Sequence, residues 1–265
     1  MKKYCVIGNP VAHSKSPELF ADYDIEYTRN QISTREELES FISDMRKGLW
    51  DGCNVTMPWK TEMVKLVDEL SPVAELTGAV NTVANRNGYL YGDSTDGYGM
   101  CEAIGGEIGG KFILIIGSGG AARSIVAECS QRQAKAVVII ARDSANTQKM
   151  KAMTDKIIMG GGVTAFRYVD YNDEVSYSEL LAEADIMINC TPIGMHGCGN
   201  DDAKPFPWDG KREVILPKRL IVAECIYNPQ ETPLLCFAEK CGCKTVRGLG
   251  MLKMQAEGSA KVFFR

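Results

Sequence analysis

Residues 111–144, KFILIIGSGGAARSIVAECSQRQAKAVVIIARDS, read as a complete strand–turn–helix–strand unit. Phe112 to Ile116 is a five-residue apolar run, the length of a strand buried on both faces. The turn that follows, Gly117-Ser118-Gly119-Gly120-Ala121-Ala122, satisfies G-x-G-x-x-[GA]. Gly117 permits the tight turn, Gly119 lets backbone approach a pyrophosphate, and Ala122 allows close helix–strand packing. The helix that opens here adds unpaired N–H groups and a positive dipole end, which favour phosphate. The pattern alone is weak, but an apolar strand before it and a helix and second strand behind it favour dinucleotide binding over a Gly-rich structural turn. Gly117, Ser118, Gly119, Gly120 and Ala121 are the candidate phosphate loop. Arg142 ends the second strand, where a guanidinium can stack on adenine and pair with a 2′-phosphate, so NADP is the expected cofactor. Asp143 follows at once, and an acidic group there suits the ribose 2′-hydroxyl of NAD, which stands as the alternative.

Working outward, ADIMINCTP and RLIVAECIYNP read as later strands that each open into a polar loop. Upstream, KYCVIG and CNVT read as short buried strands. Thr34 with Glu37 fits a capping box, and Leu38, Phe41, Ile42 and Met45 then share one helical face. Thr61 to Leu70 reads as a helix, and Ser71-Pro72 as the start of another, with Pro at the first helical position. Asn87-Gly88 lies between two strand-like runs and signals a hairpin. The fold class is therefore α/β, an N-terminal α/β domain preceding a Rossmann-like, doubly wound parallel sheet. The expected division is 1–98 and 99–248, with a closing helix over 249–265.

Composition narrows the partners. With 45% hydrophobic and 24% charged residues over 265 positions, the chain can bury one large core or two smaller ones. A formal net charge of -4 and the lack of a basic run exclude an electrostatic footprint for nucleic acid or for a membrane surface. The apolar run in MKKYCVIGNP stops at Gly8-Asn9-Pro10, too early for a signal peptide, and no run is long enough to span a membrane. A soluble, cytoplasmic protein is expected. Its ten cysteines are scattered and read as reduced thiols, several of them in apolar strands. The tight cluster CFAEKCGC has no nearby His to complete a tetrahedral set, so no metal is assigned.

The remaining motifs fall in one order: SKSP (14–17), NVTMPWK (54–60), GAVNT (78–82), STDGYG (94–99), GSGGAA (117–122), NCTPIGM (189–195), YNPQETPLL (227–235) and GLGMLKMQA (248–256). In order and spacing the chain resembles the shikimate dehydrogenases over nearly its whole length. That resemblance implies an N-terminal domain, joined by the last helix, that holds shikimate, and a second domain that holds NADP. It implies that Ser14 and Ser16 bind the substrate carboxylate, although Ser-Lys-Ser-Pro also reads as a helix cap. It implies further that Thr56, Asn81, Asp96 and Gln255 hold the ring hydroxyls, that Tyr227 contacts substrate from the second domain, and that Thr191, Cys225, Gly248 and Met251 line the nicotinamide pocket.

Under this reading, chemistry falls to Lys60 and Asp96. Reducing a ketone needs a hydride and a proton for the oxygen that becomes an alkoxide. A lysine ammonium within reach supplies both the proton and the stabilising charge. In the oxidation direction the same lysine must accept a proton, which burial favours and a nearby carboxylate opposes. Asp96 is therefore assigned to orienting Lys60 and the substrate hydroxyl.

The implied activity is the NADP-dependent, reversible reduction of 3-dehydroshikimate to shikimate, in aromatic amino-acid biosynthesis through chorismate. The partner is thus a small molecule, and the chain is a monomer or a homodimer. The chain departs from the family pattern at Ser94, where Asn is usual, in the short ELFADYDIEY segment, at Asp143 with a missing second cation, and at Glu224, where Asp is common. These leave a quinate or related cyclitol-acid dehydrogenase with relaxed NAD/NADP use as an alternative. A ligand-binding homologue without turnover is a third reading, against which the retained Lys60, Asp96, Thr56 and Gln255 count.

Overall fold

The computed structural model describes residues 1–204 and 215–265. Among them the strands form two six-stranded sheets, and the chain divides into two compact units, Met1–Asp96 with Gln255–Arg265, and Gly97–Met254. The sequence punctuates neither boundary, because each falls inside or at the end of a helix. The breaks therefore sit at Asp96 and Gln255, where the sequence reading set them at 98 and 249.

The first unit holds β1 (Lys2–Gly8), β2 (Ile25–Gln31), β3 (Gly52–Val55), β4 (Glu69–Leu70), β5 (Thr82–Arg86) and β6 (Tyr89–Asp93) in the order β2-β1-β3-β5-β6-β4. Its sheet is mixed: β1 runs parallel to β2 and β3, whereas β3, β5 and β6 pair antiparallel. Alternate residues of β1 serve opposite faces, as the two-residue period of a strand requires. Cys5 and Ile7 pack with Leu38, Phe41, Ile42 and Met45, while Tyr4 packs with Phe20, Ala260 and Phe263. The first face is covered by α2 (Arg35–Arg46), which follows the four-residue α1 (Ser16–Leu19). Both halves of the Thr34/Glu37 capping box form. Helix α3 (Pro72–Thr77) starts as expected, Ser71 accepting from the Ala74 N–H. The β5–β6 hairpin turns at Asn87 and Gly88 with φ of 56° and 90°, the values of a type I′ turn.

One expected element is absent. Thr61–Leu70 is not a helix: it makes a single 3-10 turn at Met63–Lys65 and then joins the sheet as β4. Tertiary pairing overrides local propensity, since the Asp68 N–H donates to the Leu90 carbonyl and its carboxylate takes the Leu90 N–H and Arg46.

In the second unit β7 (Phe112–Ile116), β8 (Ala136–Ala141), β9 (Ala165–Asp170), β10 (Ile186–Asn189), β11 (Ile221–Glu224) and β12 (Lys244–Val246) are all parallel, and among the described residues a helix lies between each consecutive two except β10 and β11. Their order, β12-β11-β10-β7-β8-β9, reverses at β7/β10, the arrangement of a doubly wound dinucleotide fold. The connecting helices are α4 (Asp96–Ile104), α5 (Gly120–Gln131), α6 (Ala145–Met159), α7 (Glu174–Glu183) and α8 (Pro233–Lys240), and α9 (Gly248–Phe263) ends the chain. Leu114, Ile116, Val138, Ile140, Met187 and Val222 build the core of one face. Strands β9 and β12 carry no signal that the sequence reading used, because they are edge strands whose residues are half exposed.

Candidate active site

Lys60 follows the turn that leaves β3. Its neighbour Trp59 is buried, with the indole N–H donating 2.8 Å to the Ile32 carbonyl, and the Lys60 carbonyl accepts from the Val80 N–H at 2.9 Å. The backbone at Lys60 is thus clamped on both sides while the side chain stays about one-quarter exposed, at 23%. Asp96 opens α4, and Lys60 Nζ donates 2.6 Å to Asp96 Oδ2. Asn81 Nδ2 donates 2.7 Å to the other oxygen, Oδ1, so the carboxylate is held from both sides. A fixed ammonium beside a fixed carboxylate, reachable from solvent, is an arrangement able to deliver a proton to a bound oxygen.

Behind this pair lies a buried polar network that the sequence reading did not assemble. Asn81 Oδ1 accepts from the Thr95 N–H at 2.8 Å and from the Thr82 hydroxyl at 3.0 Å. Asn54 Nδ2 donates to the Asn81 carbonyl, the Thr82 hydroxyl and the Ser259 hydroxyl, and its Oδ1 accepts from Tyr27 at 2.7 Å. Gln255 Nε2 donates to Thr95 at 3.0 Å and to Ser259 at 2.7 Å. Asn54, Asn81, Thr82, Thr95, Asp96, Gln255 and Ser259 are all buried. Polar groups in apolar runs, CNVT and AVNT, were the available signal, because such groups stay inside only when they find partners.

Ser14 and Ser16 lie side by side, with 3.1 Å between their hydroxyls. The Ser14 hydroxyl also accepts from the Ser16 N–H, although α1 itself has Lys15 at its N-cap and no side-chain cap. Thr56 lies partly exposed one residue beyond β3, and its carbonyl accepts from Trp59. Ser94 is buried, its N–H donating to Asp93 Oδ1 at 2.7 Å.

In the second unit, the candidate cofactor residues lie at or beyond the carboxyl ends of the strands. Gly117 has φ of 111°, and a Cβ there would sit 3.1 Å from the Cys190 carbonyl oxygen, so the turn admits only glycine. A Cβ on Gly119 would enter open space beside the first turn of α5, the room a phosphate needs to approach the N–H groups of Gly120 and Ala121. Ala122 is fully buried. The Ser118 hydroxyl lies 3.0 Å from that of Thr147, which donates to the Arg142 carbonyl at 2.7 Å. The candidate phosphate loop and the Arg142 turn are therefore tied through Thr147, and Arg142 is exposed. Arg123, in the first turn of α5, is buried, donates 3.4 Å to the Ser118 carbonyl, and has its pKa lowered by burial.

Asn189 and Glu224 are register partners on β10 and β11. Glu224 is fully buried and accepts from Asn189 Nδ2 at 2.8 and 3.1 Å, the Thr232 hydroxyl at 3.1 Å and the Ile226 N–H at 3.2 Å. Burial pushes its carboxyl up to about 7 against those donors. Asn189 Oδ1 in turn accepts from the Thr191 N–H and hydroxyl at 2.9 and 2.7 Å. Cys225 follows Glu224, and Gly248 packs so closely on Ile226 that a Cβ would lie 2.2 Å from its carbonyl oxygen. Met251 is buried in α9, and Tyr227 has its phenol pKa raised by burial. Among the described residues no cluster of His, Cys, Asp and Glu could hold a metal ion, and no helix is long and apolar enough to cross a membrane.

Residues 6–83 match the family model of the shikimate dehydrogenase substrate binding domain, and residues 113–197 that of the saccharopine dehydrogenase NADP binding domain. The shikimate dehydrogenase (NADP(+)) of Lactococcus lactis subsp. cremoris is 35% identical over 263 residues, covering 96% of this chain and 88% of its own. The crystal structure of shikimate 5-dehydrogenase from Listeria monocytogenes, in complex with shikimate and NAD, superposes with a TM-score of 0.87 at 32% identity, covering 100% of this chain and 92% of its own. That of the Thermus thermophilus enzyme, in complex with NADP(H) and shikimate, gives 0.80 at 27% identity, covering 99% and 93%.

Proposed function

The chain belongs to the shikimate dehydrogenase family, and on that premise we propose that it catalyses the NADP-dependent, reversible reduction of 3-dehydroshikimate to shikimate. The observation that carries this reading is the 2.6 Å Lys60–Asp96 pair, with Asn81 fixing the second carboxylate oxygen.

When bound, NADPH supplies the hydride. The Lys60 ammonium stabilises the negative charge that develops on the ketone oxygen and gives its proton to that oxygen, leaving a neutral amine. Asp96 holds the ammonium and accepts from a ring hydroxyl. Thr56, Asn81 and Gln255 complete the polyol site, and Ser14 and Ser16 hold the carboxylate through their hydroxyls. Such a site discriminates strongly, because an analogue lacking one hydroxyl leaves a buried polar group unpaired. Tyr227 is a further candidate for the substrate. Gly117 to Ala121 would hold the pyrophosphate, Arg142 the 2′-phosphate, and Thr191, Cys225, Gly248 and Met251 the nicotinamide. The first unit is thus the substrate domain and the second the cofactor domain.

A second reading, relaxed NAD/NADP use with quinate as substrate, is favoured by Asp143, whose carboxylate accepts from Gln148 on the exposed turn beside Arg142. Initial rates of the purified chain on shikimate and quinate, each with NADP and NAD, separate the two. The leading reading requires kcat/KM to be highest for shikimate with NADP; a preference for NAD removes the role given to Arg142.

A further inference from the structure

We propose that Cys190 and Cys225 form a thiol-pair modification site at the carboxyl ends of β10 and β11, which a hydroperoxide converts to a disulfide that shuts the cofactor site. The inference rests on the cofactor assignment above for its consequence, not for its chemistry.

Asn189 and Glu224 pair in parallel register, so the two cysteines that follow them leave the sheet side by side. The Cys225 N–H still donates to the Asn189 carbonyl at 3.0 Å, which holds the two backbones at strand spacing. Neighbouring strands lie about 4.8 Å apart, inside the roughly 4.4–6.8 Å Cα span of disulfides. The two sulfur atoms are 3.7 Å apart. Closing that gap to a bond of about 2.0 Å needs adjustment of the two side chains and of the loops that carry them, not movement of a strand.

Access separates this pair from the buried ones, Cys101 with Cys129 and the register partners Cys5 and Cys53. Cys101 and Cys129 approach to 4.0 Å, but both are wholly buried, and the thiol of Cys129 is pushed up by its contact with Cys101 and by burial. Cys190 and Cys225 are both partly exposed. An oxidant in solution therefore reaches this pair ahead of the wholly buried ones.

The reaction balances with one peroxide. A thiolate of the pair attacks a peroxide oxygen; the O–O bond breaks, giving a sulfenic acid and releasing an alcohol, or water from hydrogen peroxide. The second thiol attacks the sulfenic sulfur; the S–S bond forms, the S–O bond breaks, and a water leaves with its proton. Two electrons pass from the sulfurs to the peroxide, and a dithiol reductant returns them by exchange.

The consequence follows from what each cysteine touches. The Cys190 N–H donates to the Ile116 carbonyl at 2.8 Å, and its own carbonyl lies against Gly117, while Thr191 follows it directly. Cys225 leads into Ile226, on which Gly248 packs. Drawing the two sulfurs together thus shifts the phosphate turn and both nicotinamide loops at once. A misplacement of about 1 Å at such a site costs on the order of 100-fold in rate.

The test treats the intact chain with hydrogen peroxide, localises cross-linked peptides by fragmentation mass spectrometry, and follows NADPH binding by fluorescence and turnover by absorbance. The expected result is a Cys190–Cys225 cross-link, a loss of turnover on the order of 100-fold, weaker NADPH binding, and recovery of both in dithiothreitol. Cys190→Ala should keep turnover and NADPH binding through the same treatment, although the exposed Cys198 and Cys236 are oxidised in it as well. Failure to cross-link these two residues, or a cross-link that leaves NADPH binding unchanged, overturns the inference. Reduced protein that is inactive on every substrate refutes the functional reading instead, and the cross-link is still read by mass.

Discussion

Glu224→Gln should remove a specific slope from the pH dependence of stability. Glu224 is 0% exposed, and burial moves its carboxyl from 4.5 to about 7 despite donors from Asn189, Thr232 and the backbone. The unfolded chain releases this proton near 4.5, while the folded chain keeps it up to about 7. Across that window the native state binds more protons than the unfolded state, so this group's contribution to stability falls as pH rises and is level above about 7. The size of the displacement corresponds to about 3 kcal/mol. Gln cannot ionise, and its amide still pairs with the network, because the Thr232 hydroxyl can turn to accept from it. Urea denaturation of both proteins, followed by circular dichroism from about pH 4.5 to 8, gives a difference curve in which shared groups cancel. The variant should gain about 3 kcal/mol on the wild type across the window, several degrees in Tm. A flat difference curve would refute the claim that Glu224 is held protonated by burial.

Other perturbations probe the site directly. Lys60→Ala should lower turnover by about 10² to 10⁴, while shikimate still protects the chain thermally; turnover that survives the change rules out the proposed proton path. Asp96→Asn keeps the shape beside Asn81 but removes the charge 2.6 Å from Lys60, and a kcat loss on the order of 100-fold with little change in the Tm is expected. An unchanged kcat would reduce Asp96 to a helix-starting residue. Arg142→Ala should raise the KM for NADPH about tenfold or more, the worth of a charge-assisted hydrogen bond, and leave that for NADH alone. Asn54→Leu leaves Tyr27, Thr82 and Ser259 short of a partner, so urea unfolding should show a loss of about 2 kcal/mol; no loss would mean that the network re-pairs without it.

The second unit was the more legible because its signals are local. A buried strand, a glycine-rich turn and a helix follow one another within residues 112–131, and the observed β7 and α5 fill them. The same holds for the Thr34 cap, the Ser71 cap and the Asn87-Gly88 hairpin, each decided by a few adjacent residues. The Thr61–Leu70 segment was misread because its outcome rests on a distant strand, β6, and not on its own propensity.

The sequence by itself determined the elements with local causes, and through ordered motifs the family. What only the tertiary structure decided is the contact geometry of the polar groups: the resemblance put Lys60 and Asp96 together, but the network behind them came from packing alone. Lys60 and Asp96 are 36 residues apart, and Asn54 and Ser259 are 205 apart, yet each pair is joined by a direct hydrogen bond. No local rule encodes such a pairing: it arises because packing the sheet and the last helix removes water from these groups, and each must then find its partner in the protein. The 3.7 Å approach of Cys190 and Cys225 has the same origin, in a register that parallel strands acquire only when the sheet is built.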